Sequence, residues 1–226
     1  MDKPEIQKGK SRDAQKTREA ILDAAEVIFS QHGFEGARID TIAKASGYNT
    51  GLIFRYFGDK LGLYTEMIKR ADKEVSGLIS HAFAPLLEDE TAAADGQWVK
   101  SFLKTMIQTF FDYLLEHPRL TRILTWEMAD GWTILNKITS QLPAGNSGQF
   151  EIFFNKAWKA GLLRSDFIPK IQFSMIFQMC QIYLASLPVY QILLPGEDLS
   201  AVEAFTRARE YIVNFIVAGI MKSADH

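Results

Sequence analysis

The sequence has 226 residues, of which 47% are hydrophobic and 23% are charged, and its formal net charge is −2. This balance is typical of a soluble globular protein with one or two domains. The one cysteine, Cys180, excludes an internal disulfide and fits a reducing compartment. The polar N-terminus lacks the apolar core of a secretory signal, and the most apolar stretch, residues 168–194, is too interrupted by polar residues for a membrane span. We therefore expect a cytoplasmic protein.

Charge is distributed unevenly along the chain. Residues 1–70 contain twelve Lys or Arg and ten Asp or Glu, a balance of +2, whereas residues 71–226 contain thirteen and seventeen, a balance of −4. Residues 1–12 are polar and basic, and they predict a flexible arm. Such an arm either remains a solvated tail or follows the phosphate backbone of a nucleic acid, and the sequence leaves both interpretations open.

Helical spacing dominates from residue 13 onward, and no alternating apolar run indicates a sheet. A buried stripe predicts a first helix from about Asp13 to His32, with Gly33 in the left-handed C-terminal cap position. A second short helix covers about Asp40 to Ser46. Gly47 ends it, because a sharp turn between helices needs a residue that tolerates positive φ. A third short helix is expected over residues 50–57.

The third helix has an inward and an outward face. Ile53 and Phe57 are four residues apart and can face the core together, while Asn49 or Thr50 can cap the N-terminus. The outward positions are then Thr50, Leu52 and Arg55, with Phe54 at the margin. Gly51 inside this helix costs about 1 kcal/mol relative to Ala, which makes sense if something must approach the backbone closely.

The rest of the chain is also expected to be helical. A fourth helix begins after Asp59 and runs to about Phe83, and an acidic, Ala-rich stretch follows. Further helical segments are predicted at 98–116, 120–128, 132–142, 150–160, 171–187 and 199–221. Segment 171–187 is apolar on most of its circumference, and the last helix has a broad apolar stripe. These two helices predict a four-helix homodimer contact, with a central helix in a monomer core as the alternative.

The later helices are rich in aromatic residues and Met, as expected of an apolar ligand pocket. The candidate ligand-binding residues are Met106, Phe110, Trp126, Glu127, Trp132, Phe154, Trp158, Phe177 and Tyr183. Each aromatic among them can instead be ordinary core packing. Glu127 falls on an apolar helix face, so its carboxylate needs a partner. That partner is either an internal group, such as Arg122 of a neighbouring subunit, or a bound cationic or hydrogen-bonding ligand.

The stretch from residue 33 to residue 63 carries a series of fixed residues at fixed spacing. They are Gly33-Phe34, Ile42-Ala43, Gly47, Gly51, Ile53, Tyr56-Phe57, Lys60 and Leu63. This pattern resembles that of the TetR family of bacterial transcriptional regulators, and the resemblance covers about residues 13–75. The resemblance implies an all-α fold, with a three-helix helix-turn-helix DNA-binding domain at residues 13–60 and a helical-bundle domain for effector binding and dimerisation at residues 61–226. It also implies a repressor that binds a palindromic operator as a dimer and is released by a small, largely apolar or aromatic effector.

The expected DNA-binding residues follow from this resemblance and from groove chemistry. They are Arg38, Thr41, Asn49, Thr50, Gly51, Leu52, Phe54, Arg55, Tyr56 and Lys60. Arg55 either reads guanine O6 and N7 or contacts phosphate, while the resemblance implies phosphate contacts for Tyr56 and Lys60. The chain departs from the family pattern at Arg38, where a helix-capping Ser or Thr is usual, and at Phe54, which lacks the hydroxyl of the usual Tyr.

An enzyme is not expected. None of the histidines has the spacing of a metal site, and the sequence contains no G-x-S-x-G motif, phosphate loop or paired cysteines, so no metal or cofactor is predicted. The alternative function is a helical adaptor that does not bind DNA. An adaptor would account for the apolar C-terminal helices, but it would leave the pattern of residues 39–60 unexplained.

Overall fold

The computed structural model of the chain describes residues 4–87, 94–142 and 147–222. Within these ranges the regular structure is helical, apart from an isolated antiparallel bridge between Leu163 and Met221. The predicted all-α fold is confirmed. The helices are α1 (Pro4–Gly36), α2 (Ile39–Ser46), α3 (Thr50–Phe57), α4 (Lys60–Leu87), α5 (Gly96–Glu116), α6 (Pro118–Ala129), α7 (Thr133–Ile138), α8 (Ser147–Lys159), α9 (Pro169–Ala185), α10 (Leu187–Leu193) and α11 (Val202–Ile220).

The chain forms two compact units. The first unit combines Met1–Asp72 with Arg122–Pro143, and the second combines Lys73–Thr121 with Ala144–His226. Two helices, α4 and α6, therefore contribute residues to both units. The sequence placed a domain boundary at residue 60, and the functional division of the chain stays a prediction.

Helix α1 begins earlier than the sequence pattern indicated. It starts at Pro4, whose fixed φ suits the first turn of a helix, and it runs through residues such as Glu5, Gln7 and Lys8 that favour helix. Residues 1–3 and the side chains of residues 4–12 lie outside the described part of the chain. The DNA contact suggested for the basic arm therefore stays a prediction.

The core of the first unit is built on α1 and the start of α4. The predicted apolar stripe of α1 is buried, and Phe29 and Tyr64 pack edge to face with ring centroids 4.9 Å apart. Ile42, Ile53 and Leu63 are fully buried in the same cluster. Burying each such side chain contributes about 1.5–3 kcal/mol, so packing holds these short helices, which would be marginal alone.

Ion pairs join α1 to α4 along the edge of this core. Arg70 contacts Glu19 at 3.3 Å, Asp23 at 2.6 Å and Glu26 at 2.8 Å. An isolated exposed pair contributes about 0–1 kcal/mol, but a half-buried arginine shared by three carboxylates fixes the register of the two helices.

The second unit packs α5 against α8, α9 and α11. Phe102 lies 4.1 Å from Phe153 between ring centroids, and Phe110 lies 5.4 Å from Phe177. Nη1 of Arg209 donates to both carboxylate oxygens of Asp112, at 2.7 and 2.6 Å, and this ion pair joins α11 to α5. In the described ranges no single helix is long and apolar enough to cross a membrane. Only α9 and α10 together pass that test, and they are bent by 55° at the break between them.

Candidate nucleic-acid interface

The turn between α2 and α3 is formed by Gly47. Its φ of 77° and ψ of 10° lie in the left-handed region, and its N–H group donates to the carbonyl of Ala43. At the other end of α2, Arg38 is extended and its side chain caps nothing. The usual capping hydroxyl is thus missing, as expected from the departure at this position. The N-terminus of α2 consequently has unpaired N–H groups that can bind an anion.

Helix α3 has the two faces that its spacing predicted. Asn49 caps it, because its Oδ1 accepts a 2.8 Å hydrogen bond from the N–H of Leu52. Ile53 and Phe57 are buried in the core of the first unit. On the opposite face Gly51, Phe54 and Arg55 are exposed, and Phe54 is 46% exposed. Thr50, Leu52 and Tyr56 are half-buried beside this face.

Gly51 is not required by packing within the protein. A Cβ atom built there would meet only Asn49 Oδ1, at 3.4 Å, which is ordinary van der Waals contact. Because glycine in a helix lowers stability relative to Ala, its presence on the exposed face calls for an external reason. The smooth surface that it leaves lies between the side chains expected to read DNA.

The polar residues expected to contact phosphate differ in whether they already have partners within the protein. Arg38, Thr41 and Arg55 are exposed, and the guanidinium of Arg55 lies 5.7 Å from the centre of the Tyr56 ring. Lys60 already has partners within the protein. Its Nζ donates to the carbonyl of Glu35 at 3.2 Å and lies 4.6 Å from the centre of the Phe34 ring, and burial lowers its pKa.

Glu127 has both carboxylate oxygens paired inside the first unit. Its Oε1 accepts a 2.7 Å bond from the hydroxyl of Tyr64, and its Oε2 accepts a 3.0 Å bond from the N–H of Leu135. The internal interpretation is therefore supported, with Tyr64 and Leu135 of the same chain as the partners, while Arg122 of this chain is exposed. Burial and the bond to Glu127 raise the pKa of Tyr64 far above its usual range.

Trp126, one residue earlier, also contacts the end of α1. Its indole N–H donates to the carbonyl of Ser30 at 3.2 Å. Its ring covers Gly33, where an added Cβ atom would meet ring atoms at 3.1–3.3 Å. Gly33 has a φ of 65° and interrupts the helical path of α1. Trp126 and Glu127 thus hold α6 against the end of α1 and the start of α4.

The expected ligand-binding residues do not fall in one unit. Trp126, Glu127 and Trp132 belong to the first unit, and the other candidates belong to the second. In the second unit Met106, Phe110 and Phe154 are buried core residues, while Trp158 is 45% exposed. Their role in effector binding stays a prediction.

The second unit has an apolar groove of about 900 Å³ formed by α9, α10 and α11. Tyr183 is the one expected ligand-binding residue that lines it. Several apolar side chains on and around this groove are exposed. They include Met175, Ile182, Tyr211 and Phe215. Sequence reasoning predicted the apolar faces of the two long helices, but it did not predict α10 between them.

Across the described residues, no group of three or more His, Cys, Asp or Glu side chains is placed to hold a metal ion. The chemistry available at α2 and α3 is that of surface recognition by a guanidinium, hydroxyl groups, an aromatic ring and helix N-termini. This combination suits a phosphate backbone with base edges rather than a reacting small molecule.

Comparison with known sequences agrees with this geometry. Residues 21–67 match the family model for bacterial regulatory proteins of the tetR family. The chain is 33% identical over 117 residues to the HTH-type transcriptional repressor SCO4008 of Streptomyces coelicolor, and this match covers 52% of each chain. It is 25% identical over 176 residues to the HTH-type transcriptional repressor NicS of Pseudomonas putida, covering 77% of this chain and 78% of NicS. The chain thus spans about half the length of the first of these relatives.

Comparison with solved structures shows the fold beyond the matched domain. A TetR-family transcriptional regulator from Haemophilus influenzae has a TM-score of 0.64 at 17% identity, covering 92% of this chain and 98% of the other. The regulator FadR of Bacillus subtilis, solved in complex with stearoyl-CoA, has a TM-score of 0.60 at 18% identity, covering 89% and 98%. At these identities the likeness concerns the fold alone.

Proposed function

Because the chain belongs to the TetR family of transcriptional regulators, we propose that it is a repressor that binds a palindromic operator as a homodimer. A small, largely apolar or aromatic effector releases it. The observation that carries this proposal is the outward face of α3. The N-terminus of α3 is capped and one of its faces is buried, while Gly51, Phe54 and Arg55 are exposed on the opposite face.

The exposed face of α3 supports insertion into the major groove. The groove is about 12 Å wide and admits one helix, whose side chains then reach base edges. Arg55 can bind guanine O6 and N7 through its two parallel N–H groups. Thr50 and Leu52 lie beside it and can contact thymine methyl groups. Gly51 allows the backbone to approach the bases without a side chain between them.

Phosphate contacts are supported by the groups that flank α3. The uncapped N-terminus of α2 offers free N–H groups and a positive helix dipole, and Arg38 and Thr41 lie beside it. Tyr56 presents a hydroxyl from the half-buried side of α3. Lys60 can reach phosphate only by exchanging its bond to Glu35 and its contact with Phe34, so we assign it a smaller share of the affinity.

Dimerisation is supported by the exposed apolar residues of α9 and α11. Buried residues such as Ile176 and Ile216 face the core of the second unit, whereas Met175, Tyr211 and Phe215 are exposed. An apolar surface of this kind is unfavourable in water, and a second copy of the chain would cover it with an identical surface. A dimer also supplies two copies of α3 for half-sites about 34–36 Å apart.

Release by an effector is a shift in the population of two states. Helices α4 and α6 each include residues of both units, so a ligand that displaces either helix changes the support of α3. The coupling is reciprocal, and operator DNA must weaken effector binding by the same factor. The proposed class of effector, small and largely apolar or aromatic, is inferred only from the aromatic and apolar residues of this chain.

The experiment that tests the proposal is selection of duplex DNA from a random pool by the full-length protein, followed by fluorescence anisotropy. A selected palindrome should bind specifically, and its affinity should fall steeply with salt because phosphate contacts release counterions. In the Arg55→Ala variant, specific binding should weaken by about 1–3 kcal/mol if Arg55 reads a base. An equal loss on all sequences would show a phosphate contact instead. Failure to enrich any sequence, with a flat salt dependence, would overturn the proposal.

A further inference from the structure

Helix α10 carries apolar side chains on two faces. On one face Tyr190 and Leu194 line the apolar groove that α10 forms with α9 and α11. On the other face Val189, Ile192 and Leu193 do not line the groove and are 55%, 78% and 68% exposed. Residues three and four apart lie on the same side of a helix, so these three side chains form one outward face of α10.

Contacts within the chain fix the position of α10. The ring of Tyr190 packs on the ring of Tyr183 in α9, with centroids 5.5 Å apart. The side-chain amide of Gln191 donates to the carbonyls of Leu194 and Glu197, at 3.3 and 2.8 Å, and so holds the chain that follows the helix. The outward face is therefore presented on a supported helix, and little conformational entropy is lost when another molecule covers it.

The exposed apolar surface on and beside the groove is large enough for a stable dimer. Eight large apolar side chains line the groove or belong to the outward face of α10, and each is between 43% and 78% exposed. At about 150 Å² for a large side chain, they expose on the order of 700 Å². Each partner in a standard interface contributes about 800 Å², whereas a monomer rarely exposes more than a few hundred in one patch. The eight residues are Met175, Ile182, Val189, Ile192, Leu193, Leu194, Tyr211 and Phe215.

Charge does not oppose the approach of a second copy. The charged residues of the groove lining are Arg207 and Glu197, and their charged groups are 2.6 Å apart. A surface that meets an identical surface doubles any net charge that it carries, and the resulting repulsion disfavours the contact. This ion pair leaves the groove lining with no net charge.

We infer that the outward face of α10 inserts into the groove of a second copy, whose own α10 inserts into the first groove. In a two-fold dimer each contact occurs twice, so a projecting face and a groove that fit each other must both be present on the same chain. Here the face lies beside a groove of about 900 Å³. This inference rests on the proposed function, because it specifies a contact of the homodimer proposed there.

The test is chemical cross-linking between two variants of the full-length protein. One chain carries Ile192→Cys on the outward face of α10, and the other carries Ala208→Cys or Met175→Cys in the groove. The two chains are co-expressed with tags of different length and treated with a short bis-maleimide, which tolerates more separation than a disulfide does. Each chain gains one thiol, so a product that contains both tags is a link between copies. We expect at least one groove position to give about tenfold more of this product than the control pair.

The control pair replaces Ile192→Cys by Ile152→Cys. Ile152 is similarly exposed, at 60%, but it lies on α8. Wild-type protein gives the background of the native thiol. Cys180 is fully buried, and burial raises the pKa of its thiol to about 12, so little thiolate is present to react.

A second measurement does not depend on cross-linking geometry. Ile192→Glu should raise the dissociation constant of the dimer about tenfold or more, because the carboxylate would be buried in the groove of the other copy. Ile152→Glu should leave this constant unchanged. Sedimentation equilibrium measures both, and circular dichroism checks that the variants remain helical, as expected for substitutions at exposed positions.

The outcomes separate this contact from the homodimer itself. A dimer that links at neither groove position leaves the groove to another occupant, such as the effector, and overturns the inference. Stronger linking of Ile192→Cys to itself than to either groove variant also overturns it, because the two α10 helices would then pack on each other. An unchanged dissociation constant in Ile192→Glu has the same meaning. A wild type that stays monomeric would instead overturn the proposed homodimer, and this contact with it.

Discussion

The hydroxyl of Tyr64 donates a 2.7 Å hydrogen bond to Glu127, although 63 positions separate the two residues in sequence. Tyr64 belongs to the first turns of α4, and Glu127 belongs to α6. Both side chains are buried, at 1% and 3% exposure. The bond therefore connects the start of α4 with α6 inside the first unit, and its removal has consequences for stability.

We expect Tyr64→Phe to lower the free energy of unfolding by about 1–3 kcal/mol, because Oε1 of Glu127 would remain buried without a partner. Urea denaturation followed by circular dichroism measures this change. Tyr56→Phe is the matched control, since the same hydroxyl is removed from a half-buried site on α3. The control should leave stability unchanged and weaken DNA binding. Equal stability of Tyr64→Phe and wild type would contradict the assigned bond.

The raised pKa of Tyr64 predicts a pH dependence at alkaline pH. Burial and Glu127 raise this pKa, so the folded protein retains the phenol proton when the unfolded chain has lost it. The stabilising contribution is fully present below a pH of about 10, the ordinary Tyr pKa, and is lost as the pH rises further. Wild-type protein should lose stability more steeply than Tyr64→Phe above this pH. Parallel curves in urea titrations would rule out a shifted Tyr64.

Gly33→Ala should destabilise the first unit and weaken operator binding. The φ of 65° and ψ of −178° at Gly33 form a region that is nearly exclusive to glycine, with a cost of about 1–3 kcal/mol for other residues. The new methyl group would also press on the ring of Trp126. Gly36→Ala is the control, because a Cβ there would meet only His32 at 3.5 Å. Thermal unfolding of both variants decides between strain and a general effect of added bulk.

Gly51→Ala should separate stability from function. Its methyl group fits within the protein, so the helix should gain about 0.5–1 kcal/mol from the lost flexibility of glycine. Operator affinity should nevertheless fall about tenfold, a change of about 1.4 kcal/mol, if the backbone approaches DNA at this point. Gly77→Ala in α4, where nothing lies within 4 Å of an added Cβ, should stabilise without affecting DNA binding. Undiminished affinity of Gly51→Ala would place the DNA elsewhere.

Phe215→Glu should convert a dimer to a monomer that remains helical. Phe215 is 56% exposed on α11 and lines the apolar groove. The carboxylate of the new Glu would therefore be solvated in the monomer and would be buried only when two copies associate, which disfavours the dimer. Ile152→Glu is the control, because Ile152 is similarly exposed, at 60%, but lies on α8. Size-exclusion chromatography with light scattering gives the mass of each variant. A monomeric wild type, or a dimeric Phe215→Glu, would exclude this interface.

Local features were predictable from the sequence because their causes are local. The faces of α3 follow from the 3.6-residue period, which places Ile53 and Phe57 together and turns Arg55 away. The turn at Gly47 follows from the preference of positive φ for glycine. The cap at Asn49 follows from the capacity of its side chain to accept from an N–H three residues later.

The remaining features depend on tertiary contacts that spacing does not specify. Glu127 stood out as a carboxylate on an apolar face, but nothing in the periodicity identified Tyr64 as its partner. Gln181 was one of several polar residues in an apolar segment, and only packing shows that it is buried without a hydrogen-bond partner among the described residues. Helix α10 was missed because its residues continue the apolar run of α9, and the break at Ser186 carries only a weak signal, the Pro188 that follows.

The division of α3 into two faces also bears on how such a protein can change its target. Its buried residues, Ile53 and Phe57, specify the fold, while Gly51, Phe54 and Arg55 make no contribution to the core. If α3 reads the operator as proposed, substitutions at the exposed positions would alter the preferred operator with little penalty in folding. A duplicated gene can explore new binding sites through a few codons of one eight-residue helix while its scaffold stays unchanged.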